Sequence, residues 1–189
     1  LDSLDLAEGR FDSLNTILVD IRDYLVRPDL REHNDKLLQW VEKGGHLVVN
    51  YQKTFEWEPR FAPYPLELGR DRVTREDAPV EVLLPEHAFF KTPNEIAPED
   101  WQGWVQERGL YFPALYDERY QELFSMHYPG DAPLRSSTLL ATYGEGTYLY
   151  TALAWYRQLR VFHPGAYALF ANMISLPVED GRGVAASSD

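Results

Sequence analysis

Between Thr16 and Tyr51 the chain spells out a strand, a helix, a stop and a second strand. Thr16-Ile-Leu-Val-Asp-Ile21 is a short β-branched run and reads as a buried strand. Pro28 and Asp29 open a helix on which Leu30, Leu37, Leu38 and Val41 recur at helical spacing, and Gly44-Gly45 ends it. His46-Leu-Val-Val-Asn-Tyr51 is the second strand. Strand, helix and strand within about 35 residues make a βαβ unit with a right-handed crossover. Such units lie in parallel, doubly wound sheets, whose ligands sit outside the C-terminal strand ends.

The rest of the chain is less regular. Residues 54–65 are rich in Pro and aromatic side chains and read as a loop that is expected near the ligand crevice or a docking face. Residues 80–84 and 122–126 read as strands, residues 87–96 as a loop or short helix, and Pro98-Glu-Asp-Trp101 as one helical turn. Residues 137–143 and 147–153 alternate about Gly144-Glu145-Gly146, the mark of an antiparallel hairpin. A last helix runs over residues 164–176, with Tyr167, Phe170, Ala171 and Ile174 as its apolar stripe. Residues 177–189 are small and polar and are expected to be a disordered tail, leaving one domain over residues 1–176.

Composition excludes several classes. The chain has 189 residues, of which 44% are hydrophobic, enough for a core at this size. Its formal net charge of −12 leaves no basic surface to neutralise phosphates or to hold an anionic membrane. There is no Cys, hence no disulfide, thiolate metal site or Cys nucleophile. No apolar run approaches the roughly 20 residues of a membrane span, and the first residues carry no signal-peptide pattern.

Several phrases together are distinctive: Phe11-Asp12, Leu38-x-x-Trp-Val-x-x-Gly-Gly-His46, Asp71-Arg-Val-Thr-x-Glu-Asp-Ala-Pro79, Gly103-Trp-Val-Gln-Glu-Arg-Gly-Leu-Tyr-Phe112 and Pro164-Gly-Ala-Tyr-x-Leu-Phe-Ala-Asn172. Over residues 10–176 they resemble the glutamine-amidotransferase-like domain found C-terminal to PIG-L/LmbE-type deacetylase domains in bacterial proteins. The resemblance implies a flavodoxin-like, three-layer, mostly parallel α/β fold with an antiparallel hairpin near its C-terminus. It also implies that a first strand and helix precede the Phe11-Asp12 segment, and that the domain is an accessory part of a longer bacterial protein, secreted or periplasmic, whose zinc chemistry lies outside this chain.

The chemistry of that family's enzymes is not legible here. Where a nucleophile elbow belongs, after the second strand, stand Asn50-Tyr51-Gln52-Lys53, with no Cys, Ser or flanking Gly. His163-Pro164-Gly165 corresponds to a His-Pro-Glu phrase, but Gly165 replaces the acid that would orient the imidazole. The five His residues, at 33, 46, 87, 127 and 163, form no metal-binding pair, so no metal or other cofactor is expected.

What remains is a burst of aromatic and charged residues. Arg70 to Asp77 precede a strand, and Trp101, Trp104, Gln106, Glu107, Arg108 and Tyr111 follow it. Rings beside fixed charges suit a sugar, with its polar rim and flat apolar faces; they also suit core packing, structural ion pairs or a face for a neighbouring domain. The expectation is a non-catalytic domain that binds carbohydrate or scaffolds a partner domain, with Asn50, Gln52, Arg72, Asp77, Gln106, Glu107, Arg108 and Tyr111 lining its site. One alternative is a glycan hydrolase using Glu107 with a second carboxylate about 5 to 10 Å away. Another is a structural domain that assembles homo-oligomers.

Overall fold

The structure, a computed structural model, describes residues 1–176; the expected tail lies outside the described residues. The chain opens with α1 (Ser3–Glu8), started by Asp2, whose carboxylate accepts from the Leu4 and Asp5 amides, and stopped by Gly9 in the left-handed region. β1 (Thr16–Val19) follows. A short helix the sequence reading did not include, α2 (Asp23–Val26), comes next, and the single helix read from Pro28 onward is broken into α3 (Pro28–Glu32) and α4 (Asn34–Glu42). Pro28 stands at the first position of α3, where its missing amide costs nothing. β2 (His46–Asn50) then pairs in parallel with β1, Thr16 opposite His46.

From here the architecture departs from the expected flavodoxin-like sheet. Between Asn50 and Thr138 the described chain forms no α-helix. It forms β3 (Leu66–Val73), β4 (Val80–Val82), β5 (Gly109–Tyr116), β6 (Gln121–Glu122) and β7 (Phe124–Met126), joined by turns and short 3-10 segments. β8 (Thr138–Tyr143) and β9 (Gly146–Thr151) are the hairpin, and α5 (Trp155–Arg160) and α6 (Pro164–Ser175) close the described chain.

The main sheet has the order β1-β2-β9-β8-β6 and is mixed. β1, β2 and β9 are parallel, while β8 and β6 pair antiparallel. Two further sheets, β3-β5 and β4-β7, are antiparallel pairs. The fold is therefore mixed α/β with antiparallel pairings in the majority, not a mostly parallel doubly wound sheet. The physical reason is the missing crossover helices: parallel neighbours need a long return, usually a helix, and after β2 the chain supplies loops and short strands that pair antiparallel with one another instead.

β2 is buried at every position, as a strand covered on both faces must be. Packing of α4 on β2 and β9, and of α6 on β1 and β2, provides that cover. Trp40 on α4 meets Phe11 edge to face, and Trp57 donates its indole N–H to the Leu66 carbonyl while its ring packs against Tyr24, Phe61 and Tyr150. The aromatic segment after β2 is thus largely core; Phe55 alone of its large rings is strongly exposed. No helix of the described residues is long and apolar enough to cross a membrane.

Candidate functional site

The expected site residues separate into two neighbourhoods. Glu107 and Arg108 are adjacent in sequence, just before β5, and bond to different partners. Arg108 turns under the Glu76–Val80 segment. Its Nε and Nη2 donate to the Ala78 carbonyl at 3.2 and 3.0 Å, and Nη1 to the Trp101 carbonyl at 2.6 Å. The guanidinium also lies over Trp101 and Trp104, at 5.9 and 5.5 Å from their ring centroids, and these two rings stack at 5.1 Å. Burial lowers the Arg108 pKa to about 10, against the opposing pull of Asp77 and Glu76, so it stays charged at neutral pH.

Together these groups line a cavity of about 420 Å³, with Trp101, Trp104 and Arg108 at its base and Glu76, Asp77 and Gln102 as its polar lining. Both indoles are nearly buried, and Trp104 Nε1 donates to the Asp100 carbonyl. Asp77 is exposed, and its pKa is lowered by the two hydrogen bonds it accepts from Arg75. Arg108 below and Arg75, which pairs with Asp77, together offset the charges of Glu76 and Asp77. Such a pocket has no strong preference for an ion of either sign and offers donors and acceptors over an apolar base.

Glu107 has a different partner. Its Oε1 accepts from Arg157 Nε on α5 at 2.5 Å. Arg157 lies over the Tyr156 ring, Tyr156 packs on Tyr51, and Tyr51 stacks on Tyr111 at 5.8 Å. Burial, with the Tyr156 hydroxyl next in importance, raises the Tyr51 pKa. Tyr111 is held with φ +58, and its carbonyl accepts from Tyr150. Gln106, exposed at φ +66, donates its amide to Glu76 Oε2 at 2.7 Å and so ties the two neighbourhoods together. Arg72 stands exposed on β3 opposite Leu110, outside both.

Asn50 and Gln52 are buried at the end of β2. Both are bonded to Asp20, at the end of β1: Asn50 Nδ2 to its Oδ1 at 2.9 Å and Gln52 Nε2 to its carbonyl at 2.8 Å. They occupy the place of a nucleophile elbow but carry amides. His163, the other element of an amidotransferase triad, is a helix cap: its Nδ1 accepts from the Ala166 amide at 3.1 Å and its Nε2 donates to the Gln102 carbonyl at 2.6 Å. Gly165 is where it is because a Cβ there would stand 2.2 Å from the Asp100 carbonyl. Among the described residues no group of three or more His, Asp or Glu is placed to hold a metal ion.

Sequence reasoning misses the partners that decide each orientation. Asp20, Tyr51, Tyr156 and Arg157 lie far along the chain from Glu107 and Arg108 or carry no pattern of their own, and only the pairing of strands and the seating of α5 bring them in. The doublet Trp101/Trp104 is the one local signal for the cavity, since residues three apart in a tight turn share a face.

The chain matches no family model and no curated protein sequence. It is similar in structure to a cytoplasmic protein from Salmonella typhimurium, with a TM-score of 0.53 and 14% identity over 89% of this chain and 73% of that one. A second cytoplasmic protein, from Salmonella typhimurium LT2, gives a TM-score of 0.53 and 13% identity over 85% of this chain and 70% of that one. A beta-galactosidase from Rahnella sp. R3 aligns over 87% of this chain but only 22% of the enzyme, at 15% identity and a TM-score of 0.45, too loose a superposition to carry an argument. At these identities the likeness is one of fold alone: a mixed α/β arrangement.

Proposed function

We propose that this chain is a non-catalytic accessory domain that binds a neutral, polyhydroxylated ligand, a sugar, in the cavity over Trp101, Trp104 and Arg108. The observation that carries this reading is the composition of that cavity: two stacked indoles, and two carboxylates whose charges are offset by the buried Arg108 and by Arg75, in about 420 Å³. A sugar offers C–H faces to the indole edges and hydroxyls to Glu76, Asp77 and Gln102. An accessory role is supported by the two places where an amidotransferase would keep its machinery: buried amides stand at the strand end and a capping His163 at the other. The resemblance to domains that follow PIG-L/LmbE-type deacetylases points the same way.

A thermal-shift screen against mono- and oligosaccharides, N-acetylated and free, tests it. A ligand that binds only the native state raises Tm by mass action, so a saturable rise is expected within about 10 mM for at least one saccharide. Asp77→Ala, whose ion pair with Arg75 is exposed, should fold normally and lose the shift. No shift across the panel would overturn the sugar-binding reading and leave a scaffold for a partner domain.

A further inference from the structure

The loops that follow β1 and β2 hold a second set of polar groups, which do not line the aromatic cavity and are unused as ligand contacts by the reading above. Asp20 Oδ1 accepts from Asn50 Nδ2 and from the Ile21 amide, at 2.9 and 2.7 Å. Gln52 Nε2 donates to both the Asp20 and the Asn50 carbonyls, each at 2.8 Å. These bonds fix which end of each amide is nitrogen, and they leave the two amide oxygens turned away from Asp20's acceptors. In the next turn Glu56 Oε2 accepts from the Lys53 amide at 2.9 Å. Its other oxygen makes only an ion-pair contact, 3.4 Å from Arg22 Nε.

Three side-chain oxygens of this set therefore meet no hydrogen-bond donor: Asn50 Oδ1, Gln52 Oε1 and Glu56 Oε1. Their residues are 4%, 0% and 5% exposed. A buried acceptor without a donor costs free energy, and three along one short stretch of chain, at the C-terminal ends of neighbouring parallel strands, are a standing demand for donors at the edge of the fold where α/β sheets take ligands. Arg22, whose side chain is half exposed, pairs with the fully buried Glu56 side chain.

The chemistry of the set selects its ligand. It has acceptors only, and one of them is an anion. The complementary group has donors only and is a cation, and a primary ammonium, with three N–H donors and no acceptor, fits that description. A hard metal ion would also favour oxygen, but among the described residues no group of three or more His, Asp or Glu is placed to hold one. We propose that Asn50, Gln52 and Glu56 form a binding site for a protonated primary amine, which takes the place of Arg22 on Glu56.

The test is calorimetric titration and thermal shift of the whole chain with n-propylammonium chloride, against sodium chloride at equal ionic strength. Tetramethylammonium chloride keeps the charge and removes the N–H donors; calcium chloride tests the metal. A saturable response to n-propylammonium alone is expected, weakened roughly tenfold in Glu56→Gln. Arg22→Ala, at an exposed side chain, removes the competing cation and should tighten binding even if Glu56→Gln fails to fold. Equal responses to n-propylammonium and tetramethylammonium, a response to calcium alone, or no response up to about 50 mM ammonium would overturn the proposal; in the last case ordered water supplies the donors.

Discussion

His46 Nε2 lies 2.9 Å from the carbonyl oxygen of Met173, in the last turn of α6. The terminal carbonyls of a helix lack intrahelical partners; here a side chain from the middle of the sheet caps one of them, and Thr16 Oγ1, from β1, donates to the next, on Ile174, at 2.8 Å. The second imidazole nitrogen, Nδ1, is 2.6 Å from Thr147 Oγ1 on β9. With Nε2 donating, Nδ1 accepts, and the neutral ring joins β2, β9 and α6.

That neutrality predicts an acid sensitivity. Burial lowers the His46 pKa to about 4, outweighing its two hydrogen-bond partners. The unfolded chain takes up this proton near pH 6.5, the folded chain only near 4. Above about 6.5 neither state is charged and there is no penalty. As pH falls through the window the unfolded state gains the proton first, and stability drops by about 1.4 kcal/mol per unit, about 3 kcal/mol in all. Urea unfolding at pH 7.5, 5.5 and 4.5 reads this loss. A His46→Gln variant should be less stable at pH 7.5 but flatter across the window; an unchanged slope in that variant would assign the acid sensitivity to other groups.

Asn172 should be the most costly polar residue on α6. It is fully buried, its Oδ1 accepts from the Asn94 amide at 2.9 Å and from Asn94 Nδ2 at 3.0 Å, and its Nδ2 donates to the Phe89 and Asn94 carbonyls at 2.9 and 2.7 Å. Asn172→Leu keeps the volume and strands those backbone groups. A loss of about 3 kcal/mol is expected in chemical unfolding. Asn172→Asp retains the acceptor and loses both donors, so its stability should fall between those of the unaltered chain and Asn172→Leu.

These anchors show what a sequence reveals and what it hides. The Gly44-Gly45 stop and the β-branched runs at 16–19 and 46–50 are local signals, and local periodicity suffices for β1, α4 and β2. β3 carries no such signal. Its pairing with β5 shifts register three times between Glu67 and Arg72, so no period-2 pattern survives, and β5 contains Pro113. α1 is signalled by Asp2, Asp5 and Gly9, yet six residues with Leu4 exposed present no apolar stripe. The direction of β8 and β6 relative to the parallel strands depends on how the long helix-free segment returns, which no window of sequence contains. The candidate site is hidden for a similar reason: Glu107 and Arg108 look like one cluster in sequence, while Glu107 pairs with Arg157 on α5 and Arg108 bonds the Ala78 and Trp101 carbonyls.

The turn between β8 and β9 makes a sharper test of packing. A Cβ on Gly146 would stand 2.0 Å from the Val41 carbonyl and 2.3 Å from the Gly45 carbonyl, both backbone atoms that cannot give way without moving α4 or the start of β2. Gly146→Ala should cost at least about 3 kcal/mol. A Cβ on Gly130, at φ +93, would meet nothing within 4 Å; Gly130→Ala carries only backbone strain, about 1 kcal/mol. Melting temperatures of the two variants, measured side by side, separate a clash from a conformational cost.

Glu107 decides between the binding and the hydrolytic readings. Its carboxylate is nearly buried and joined to Arg157, whose side chain is 30% exposed, so the pair ties the entrance of β5 to α5. Glu107→Gln keeps an oxygen for Arg157 Nε and removes the charge. The binding reading expects a modest loss of stability, about 1 kcal/mol, with saccharide affinity unchanged, because Glu107 is not among the residues that line the aromatic cavity. Glu107→Leu leaves Arg157 without its partner and should cost about 2 kcal/mol. Urea unfolding gives the first quantity and saccharide titration the second. If Glu107→Gln instead abolishes a measurable glycan hydrolysis while folding normally, the carboxylate is catalytic and the aromatic cavity is not the centre of function.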